Sequence, residues 1–297
     1  MRKIAVCALA CWLSTAALAN VPEVAPELTA AQIVEKNVAA RGGLEAWQKI
    51  HSMVWVGHIE RPDAAGAPNL PYVLEQKRPN KTRFQIKAQN QIWVRTYDGA
   101  HGWKLRPSTN GMPEAEPYTA EELSSAQNGQ ESFGGPLMDY QAKGVAVMLD
   151  GVDDVEGHKA YRLSVKSPSG TSNHVWVDAQ TFLDVKSDRQ SRNALGQAGT
   201  VSVFYRNYET IEGVQMPLMI ESGSDTATAT DKMVIDKVLL NQPLDDRIFA
   251  KPSVPGRGNA ASVNAAAPQS VRQKSSSMST RFPRSNPRFF IGSGVAH

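Results

Sequence analysis

Cysteine is almost missing from this chain of 297 residues: Cys7 and Cys11 are the only two, and both lie within the first nineteen positions. Those positions have the layout of a secretory signal, with Arg2 and Lys3, an apolar run over 4–18, and Ala17-Leu18-Ala19 as a small-x-small cleavage site. Cleavage after Ala19 would leave a mature chain without thiols, which excludes disulfides and cysteine-ligated metals. Ala8-Leu9-Ala10-Cys11 offers an alternative, a lipoprotein box that anchors the chain through Cys11, although the apolar run ahead of it is very short. No other stretch approaches the ~18 apolar residues of a spanning helix. The expected product is soluble and exported to the periplasm.

Catalytic signatures are missing as well. The six histidines, His51, His58, His101, His158, His174 and His297, include no pair at i, i+4, so an HExxH metal site is excluded. There is no G-x-S-x-G elbow, Walker loop or G-x-G-x-x-G. The acidic stretch 150–157 hints at calcium, but Val152 and Val155 stand where such a loop needs an oxygen ligand and a glycine. Asp245-Asp246 reads as a turn. The expectation is a non-enzymatic protein with no catalytic residues, no metal and no cofactor. A basic face is lacking too: the net charge of +3 comes from the leader and the tail, and residues 20–250 sum to −6, which argues against a nucleic-acid partner.

What is present is β periodicity with a few helix signals. Thr29-Ala-Ala-Gln32 is a capping-box pattern opening a helix that carries Ile33, Val34 and Val38 on one side and ends at Gly42-Gly43. A short helix follows over 44–50, and Thr119-Ala-Glu-Glu122 opens a third of about two turns. A strand at 53–61 precedes four more, 72–78, 83–88, 92–97 and 102–106, separated by Pro79-Asn80, Gln89-Asn90 and Asp98-Gly99. Asp98-Gly99 is a strong hairpin signal, because glycine accepts the positive φ of a tight turn. Residues 108–117 read as loop. Seven strands then follow, 145–149, 160–166, 171–178, 182–189, 200–208, 214–222 and 227–240, with turns at Asp150-Gly151, Glu156-Gly157 and Glu212-Gly213 among others.

The fold class is α+β, mainly β. About eleven or twelve antiparallel strands exceed what a strongly twisted open sheet carries without curling, so the sheet should bend into a half-barrel whose concave apolar face the helices cover. This face suits either an apolar ligand or an ordinary filled core. Residues 133–140, flexible at their start and greasy at their end, suit either a lid or a buried corner. The domain is expected to span 20–255. Residues 256–297, without acid or periodicity, are expected to be a disordered basic tail. Arg78 shares the parity of Tyr72 and Leu74 and so is expected on the apolar side, where a guanidinium needs hydrogen-bond partners.

Lys77-Arg78-Pro79-Asn80, then Tyr97-Asp98-Gly99, Trp103 and Arg106-Pro107, resemble the core pattern of the LolA/LolB-like periplasmic lipoprotein carriers. Arg41-Gly-Gly-Leu44, Val155-Glu-Gly157 with Tyr161-Arg-Leu163, Val177-Asp-Ala179 and Gly213-Val-Gln-Met-Pro217 resemble the wider outer-membrane lipoprotein-sorting branch. The resemblance covers about 29–252; the loop 62–71 and the tail depart from it and leave the cargo open. It implies an incomplete, strongly curved antiparallel barrel with helices closing its mouth. The implied activity is binding acyl chains or other lipids and moving them toward the outer membrane without catalysis. Implied partners are an acylated lipoprotein or lipid and a membrane or outer-membrane acceptor protein, with the carrier itself a monomer.

Parity and resemblance together assign the cavity lining. In the first half it is Trp55, Leu74, Phe84, Ile86, Ile92, Val94, Trp103 and Leu105; in the second it is Tyr161, Leu163, Val165, Val175, Val177, Val203 and Tyr205. Leu137, Met138 and Tyr140 become lid residues. Arg78 matches the family's strand arginine, which latches the helical lid through hydrogen bonds; the alternative is that it only bonds backbone at a strand end. A second function for the same fold is an envelope sensor that binds a lipid or protein partner.

Overall fold

Period-two alternation over most of the chain produces, among the described residues, a thirteen-stranded antiparallel sheet, curved and unclosed. The computed structural model describes residues 28–61, 66, 68–88, 91–107, 113–127, 133–192, 198–224 and 231–253. The stretches read as signal peptide and basic tail, with Cys7 and Cys11, lie outside these residues. The first meander comprises β1 (Ser52–Glu60), β2 (Leu70–Lys77), β3 (Lys81–Ala88), β4 (Gln91–Tyr97), β5 (Gly102–Leu105) and β6 (Ala115–Pro117). The second comprises β7 (Ala146–Val155), β8 (His158–Lys166), β9 (Ser172–Asp178), β10 (Asp184–Arg192), β11 (Ala198–Ile211), β12 (Val214–Ser224) and β13 (Asp231–Leu240). Pairing of β1 with β13 joins the two meanders.

This order leaves β6 and β7 at the two free edges, so the chain between them must pass from one rim of the half-barrel to the other. It does so as α3 (Ala120–Gln127) and a series of turns over 133–144. The mouth is thereby bridged by connectivity alone.

Two local expectations are corrected. The stretch 108–117 was expected to be loop, but its end forms β6, an edge strand that tolerates Pro117 because its outer side needs no backbone donor. Asp150-Gly151 was expected to be a turn; instead β7 runs through it with a bulge that leaves Asp150 unpaired, next to Gly151 at φ 148°.

The helices form where their caps are written. Gln32 N donates to Thr29 Oγ1 (3.3 Å) and Thr29 N to Gln32 Oε1 (2.9 Å), starting α1 (Ala30–Ala40). This helix presses Ile33 and Val34 onto Leu163, Val165, Val175 and Val177, burial that contributes ~1.5–3 kcal/mol per large side chain. Gly42, at φ +101°, then lets the chain pass against the β11–β12 turn, where any β-carbon would collide with the Gly213 carbonyl. The short α2 (Leu44–Gln48) packs Trp47 among Met53, Met138, Met216 and Leu240. No helix among the described residues is long and apolar enough to cross a membrane.

A second, smaller core lies on the convex face. Val94 pairs with Leu105, and Leu105 with Ala115, and all three are buried. A single 3-10 turn, Asp246–Phe249, returns against β3 and β4, and Thr96 Oγ1 donates to Ala250 O (3.1 Å).

Candidate functional site

The concave core is not filled. A cavity of about 600 Å³ opens among β1–β3, β8–β13, α2 and residues 133–136. Trp55, Ile59, Leu74, Phe84, Met233 and Ile220 form an apolar wall, while Arg41, Arg78, Lys143 and Asp184 stand among the remaining lining residues. Trp55 Nε1 is buried without a hydrogen-bond partner. A buried donor left unpaired is costly, so the indole is better matched to a ligand acceptor than to an empty apolar wall.

The turn after β2 organises what covers this space. Lys77 Nζ donates to Leu244 O (2.8 Å) and pairs with Asp246 (2.7 Å), which ties down the C-terminal segment. Arg78 Nε donates to Ile50 O (2.7 Å) and an Arg78 terminal nitrogen to Trp47 O (3.0 Å), capping the carbonyl end of α2. The same guanidinium lies 4.8 Å from the centre of the Phe133 ring. Asn80 Nδ2 donates to Ala126 O (2.9 Å) at the end of α3. Arg78 and Asn80 thus hold two covering elements, α2 and α3, while Lys77 fixes the C-terminal segment that rests on the convex side. Arg78 is an exposed residue at the rim, past the last residue of β2, rather than buried on the apolar face as its parity suggested. Partial desolvation still lowers its pKa from the usual arginine value.

α3 is anchored to the concave side by Glu122, which is 1% exposed. Its carboxylate accepts from Thr119 N (2.8 Å), completing the second capping box, and from Arg95 (3.2 Å) and Lys104 (3.1 Å). Burial alone would raise its pKa, but the Thr119 N–H and the two cations hold it below the usual carboxylate value.

At the α1–α2 end of the cavity Arg41, directly after α1, is 5% exposed. Its Nη1 donates to Gly134 O (2.5 Å) and Asp184 Oδ2 (3.1 Å), and its guanidinium stacks 4.9 Å from the Trp47 ring centre. Asn37 Nδ2 donates to the other Asp184 oxygen (2.9 Å), yet burial keeps the Asp184 pKa raised. Lys143 Nζ donates to Gly135 O (2.8 Å). Burial, only partly offset by Asp139 and reinforced by Arg78 and Arg41, lowers Lys143 to about 8.

Of the side chains expected to line a cavity, Trp55, Leu74, Arg78, Phe84, Val165, Val175, Val203 and Tyr205 border it. Ile86, Leu163 and Val177 face the same side but are buried in core clusters, the last two beneath α1, with Tyr161 stacked on Phe182 beside them. Ile92, Val94, Trp103 and Leu105 were expected on the concave face, and this is corrected. Phe84 pairs with Arg95 and Ile86 with Trp93, so the concave residues of β4 are Trp93, Arg95 and Tyr97. Ile92 is 38% exposed, Val94 and Leu105 form the convex core, and Trp103 lies under Lys251. The apolar parity of β4 and β5 serves that second core, while the polar parity supplies the cations that hold Glu122. Leu137 and Met138 are buried under α1 and α2, and Tyr140 is half-buried beside the former; Phe133, Gly134, Gly135, Pro136 and Lys143 are the parts of this segment that reach the cavity. Arg41 was visible in sequence only within Arg41-Gly-Gly-Leu44, and Lys143 carried no signal at all.

No protein-family model and no curated protein matches the chain. Solved structures do. A domain assigned to outer membrane lipoprotein sorting, from Vibrio parahaemolyticus, superposes with a TM-score of 0.50 at 9% identity, over 73% of this chain and 94% of its own. A LolA superfamily protein from Nitrosomonas europaea aligns at 16% identity and TM-score 0.49 over 76% of this chain and 99% of its own. A DUF1329 family protein from Desulfovibrio piger aligns at 12% identity and TM-score 0.49, over 74% and 97%. At such identities the likeness to the Vibrio domain is one of fold, and it is the fold that the sequence motifs implied.

Proposed function

We propose that this chain is a non-enzymatic periplasmic carrier that takes acyl chains of a lipoprotein or lipid into the half-barrel cavity and moves them toward the outer membrane. The cavity carries the reading: about 600 Å³ of space left in the concave core, with aromatic and aliphatic side chains forming one wall and covering elements tied down by side-chain hydrogen bonds. That volume falls within the ~300–1,000 Å³ of small-molecule sites. The lipoprotein-sorting assignment of the Vibrio domain supports the same direction.

Burial of an acyl chain contributes ~0.8 kcal/mol per methylene, on the order of 10 kcal/mol for a long one. A carrier with that full gain would scarcely release its cargo. Arg78 supplies the opposing contribution, because α2 and Phe133 are held in place when the cavity is empty and must give way for entry. Apparent affinity then falls by the fraction of molecules that are open. In this reading residues 133–144 are the moving cover, with Leu137, Met138 and Tyr140 as its anchored underside, and the working unit is 20–255 after loss of the leader.

The test is native mass spectrometry of the protein purified from periplasm. Co-purifying phospholipid or acylated peptide is the expected result. An empty cavity with a stoichiometric protein partner would replace the carrier with an envelope sensor.

A further inference from the structure

We propose that the α1–α2 end of the cavity is an anion subsite, in which Arg41 and Lys143, with Arg78 beside them, hold the phosphate of an anionic phospholipid headgroup while its acyl chains lie along the Trp55–Phe84 wall. The inference rests on the lipid-binding reading and adds to it a headgroup class.

Three cations converge on one short stretch of backbone: Arg41 on Gly134 O, Lys143 on Gly135 O, and Arg78 over the Phe133 ring. All three side chains border the cavity. The carboxylates near them are fewer. Asp184 of β10 pairs with Arg41, and Asp139 acts on Lys143 and Arg78 from the same turn segment. Asp139 does not border the cavity, so the cavity surface at this end carries an excess of positive charge.

Spare donors remain. Arg41 Nε is buried and has no partner, and the bond to Gly135 O occupies one of the three Lys143 protons. An excess of cations in a poorly hydrated site is unfavourable unless an anion joins them. In the empty protein burial and its two arginine neighbours loosen the Lys143 proton, to about 8. A phosphate would offer several acceptor oxygens to this group and hold its proton more tightly. Its position also fits an amphipathic ligand, since the apolar wall of Trp55, Leu74 and Phe84 belongs to the same cavity.

The experiment compares dipalmitoyl phosphatidylglycerol, dipalmitoylglycerol and inorganic phosphate on the whole mature protein at pH 7. Two readouts are used: affinity by displacement of a fluorescent diacylglycerol, and Lys143 titration by NMR with 13Cε-labelled lysine. Phosphatidylglycerol should bind about tenfold more tightly than its neutral counterpart, equivalent to ~1.4 kcal/mol. Lys143→Gln should bring the two lipids within about threefold of each other, and Lys143→Arg should restore the preference. Lys143, facing Asp139, Arg78, Arg41 and through Arg41 Asp184, should titrate near 8 when free and rise with phosphatidylglycerol but not with dipalmitoylglycerol. Equal affinity for the two lipids with no change at Lys143 overturns the headgroup subsite and leaves the carrier standing. Failure of both lipids to bind overturns carrier and subsite together. A Lys143 shift produced by inorganic phosphate alone, with nothing added by lipid, overturns the headgroup assignment in favour of a free-phosphate site.

Discussion

Replacing Arg78 with leucine separates a latch from a strand-end contact, because the two roles change affinity in different ways. Arg78 makes two charged hydrogen bonds, 2.7 Å to Ile50 O and 3.0 Å to Trp47 O, and lies 4.8 Å from the Phe133 ring centre. Hydrogen bonds to charged groups contribute ~1.5–3 kcal/mol each, and an exposed cation–π contact ~0.5–1 kcal/mol. Arg78 is exposed, so solvent screening takes the total below the ~3.5 kcal/mol low end of that sum, to roughly 2 kcal/mol of closed-state stability. That corresponds to about 30-fold in the open fraction. A neutral fluorescent diacylglycerol, which does not engage the cationic end, should therefore bind Arg78→Leu up to about 30-fold more tightly and leave more slowly for acceptor vesicles. The Tm should fall at the same time, by ~2–4 °C per kcal/mol lost for a domain of this size. Tighter binding in a less stable protein is the signature of a latch. A lower Tm with unchanged or weaker binding would refute it and leave Arg78 as a strand-end fixture. Arg78→Lys should fall between the two, since one ammonium does not span both carbonyls as the guanidinium fork does.

Glu122→Gln should destabilise the fold by about 2–4 kcal/mol at pH 7 in guanidinium titrations, because Arg95 and Lys104 lose the carboxylate they share. The folded pKa of Glu122 is depressed, so its contribution is present above the unfolded value near 4.3 and is lost as pH falls through the folded one; the gap between wild type and Glu122→Gln should accordingly shrink in acid. Leu105→Ala should cost about 2 kcal/mol through the convex core yet leave lipid affinity unchanged, whereas Phe84→Ala should weaken lipid binding; an affinity loss in Leu105→Ala would contradict the assignment of β5 to the convex face. Binding of phosphatidylglycerol, but not of dipalmitoylglycerol, should weaken in alkaline buffer as Lys143 loses its proton above about 8, which a pH series of displacement curves would reveal.

The elements that were legible in the sequence share one property: their cause lies within a few residues. Thr29 reaches Gln32, Thr119 reaches Glu122, and glycine or asparagine turns separate runs of alternating side chains, so helices, most strands and the curling of the sheet follow from local rules. Arg78 was legible as an oddity, since a guanidinium at an apolar parity breaks such a rule. Lys143 was not, because a lysine in a polar turn breaks none. Alternation tells that two faces differ, but not which of them a given strand turns toward the cavity; on β4 and β5 the register decided it, pairing Phe84 with Arg95 and Arg95 with Lys104, and the Asp246–Phe249 segment, more than a hundred residues away, rests on the convex side. Asp150-Gly151 likewise could turn or bulge, and pairing with β8 decided it.

By itself, then, the sequence determined the elements, their antiparallel meander and the need for helices over one face, because hydrogen-bonding and steric preferences act between near neighbours. Only the tertiary structure decided that a cavity remains there, that β1 meets β13, and that Arg41, Arg78 and Lys143 converge on residues 133–135. Those outcomes depend on packing and charge between residues whose separation along the chain carries no periodic trace.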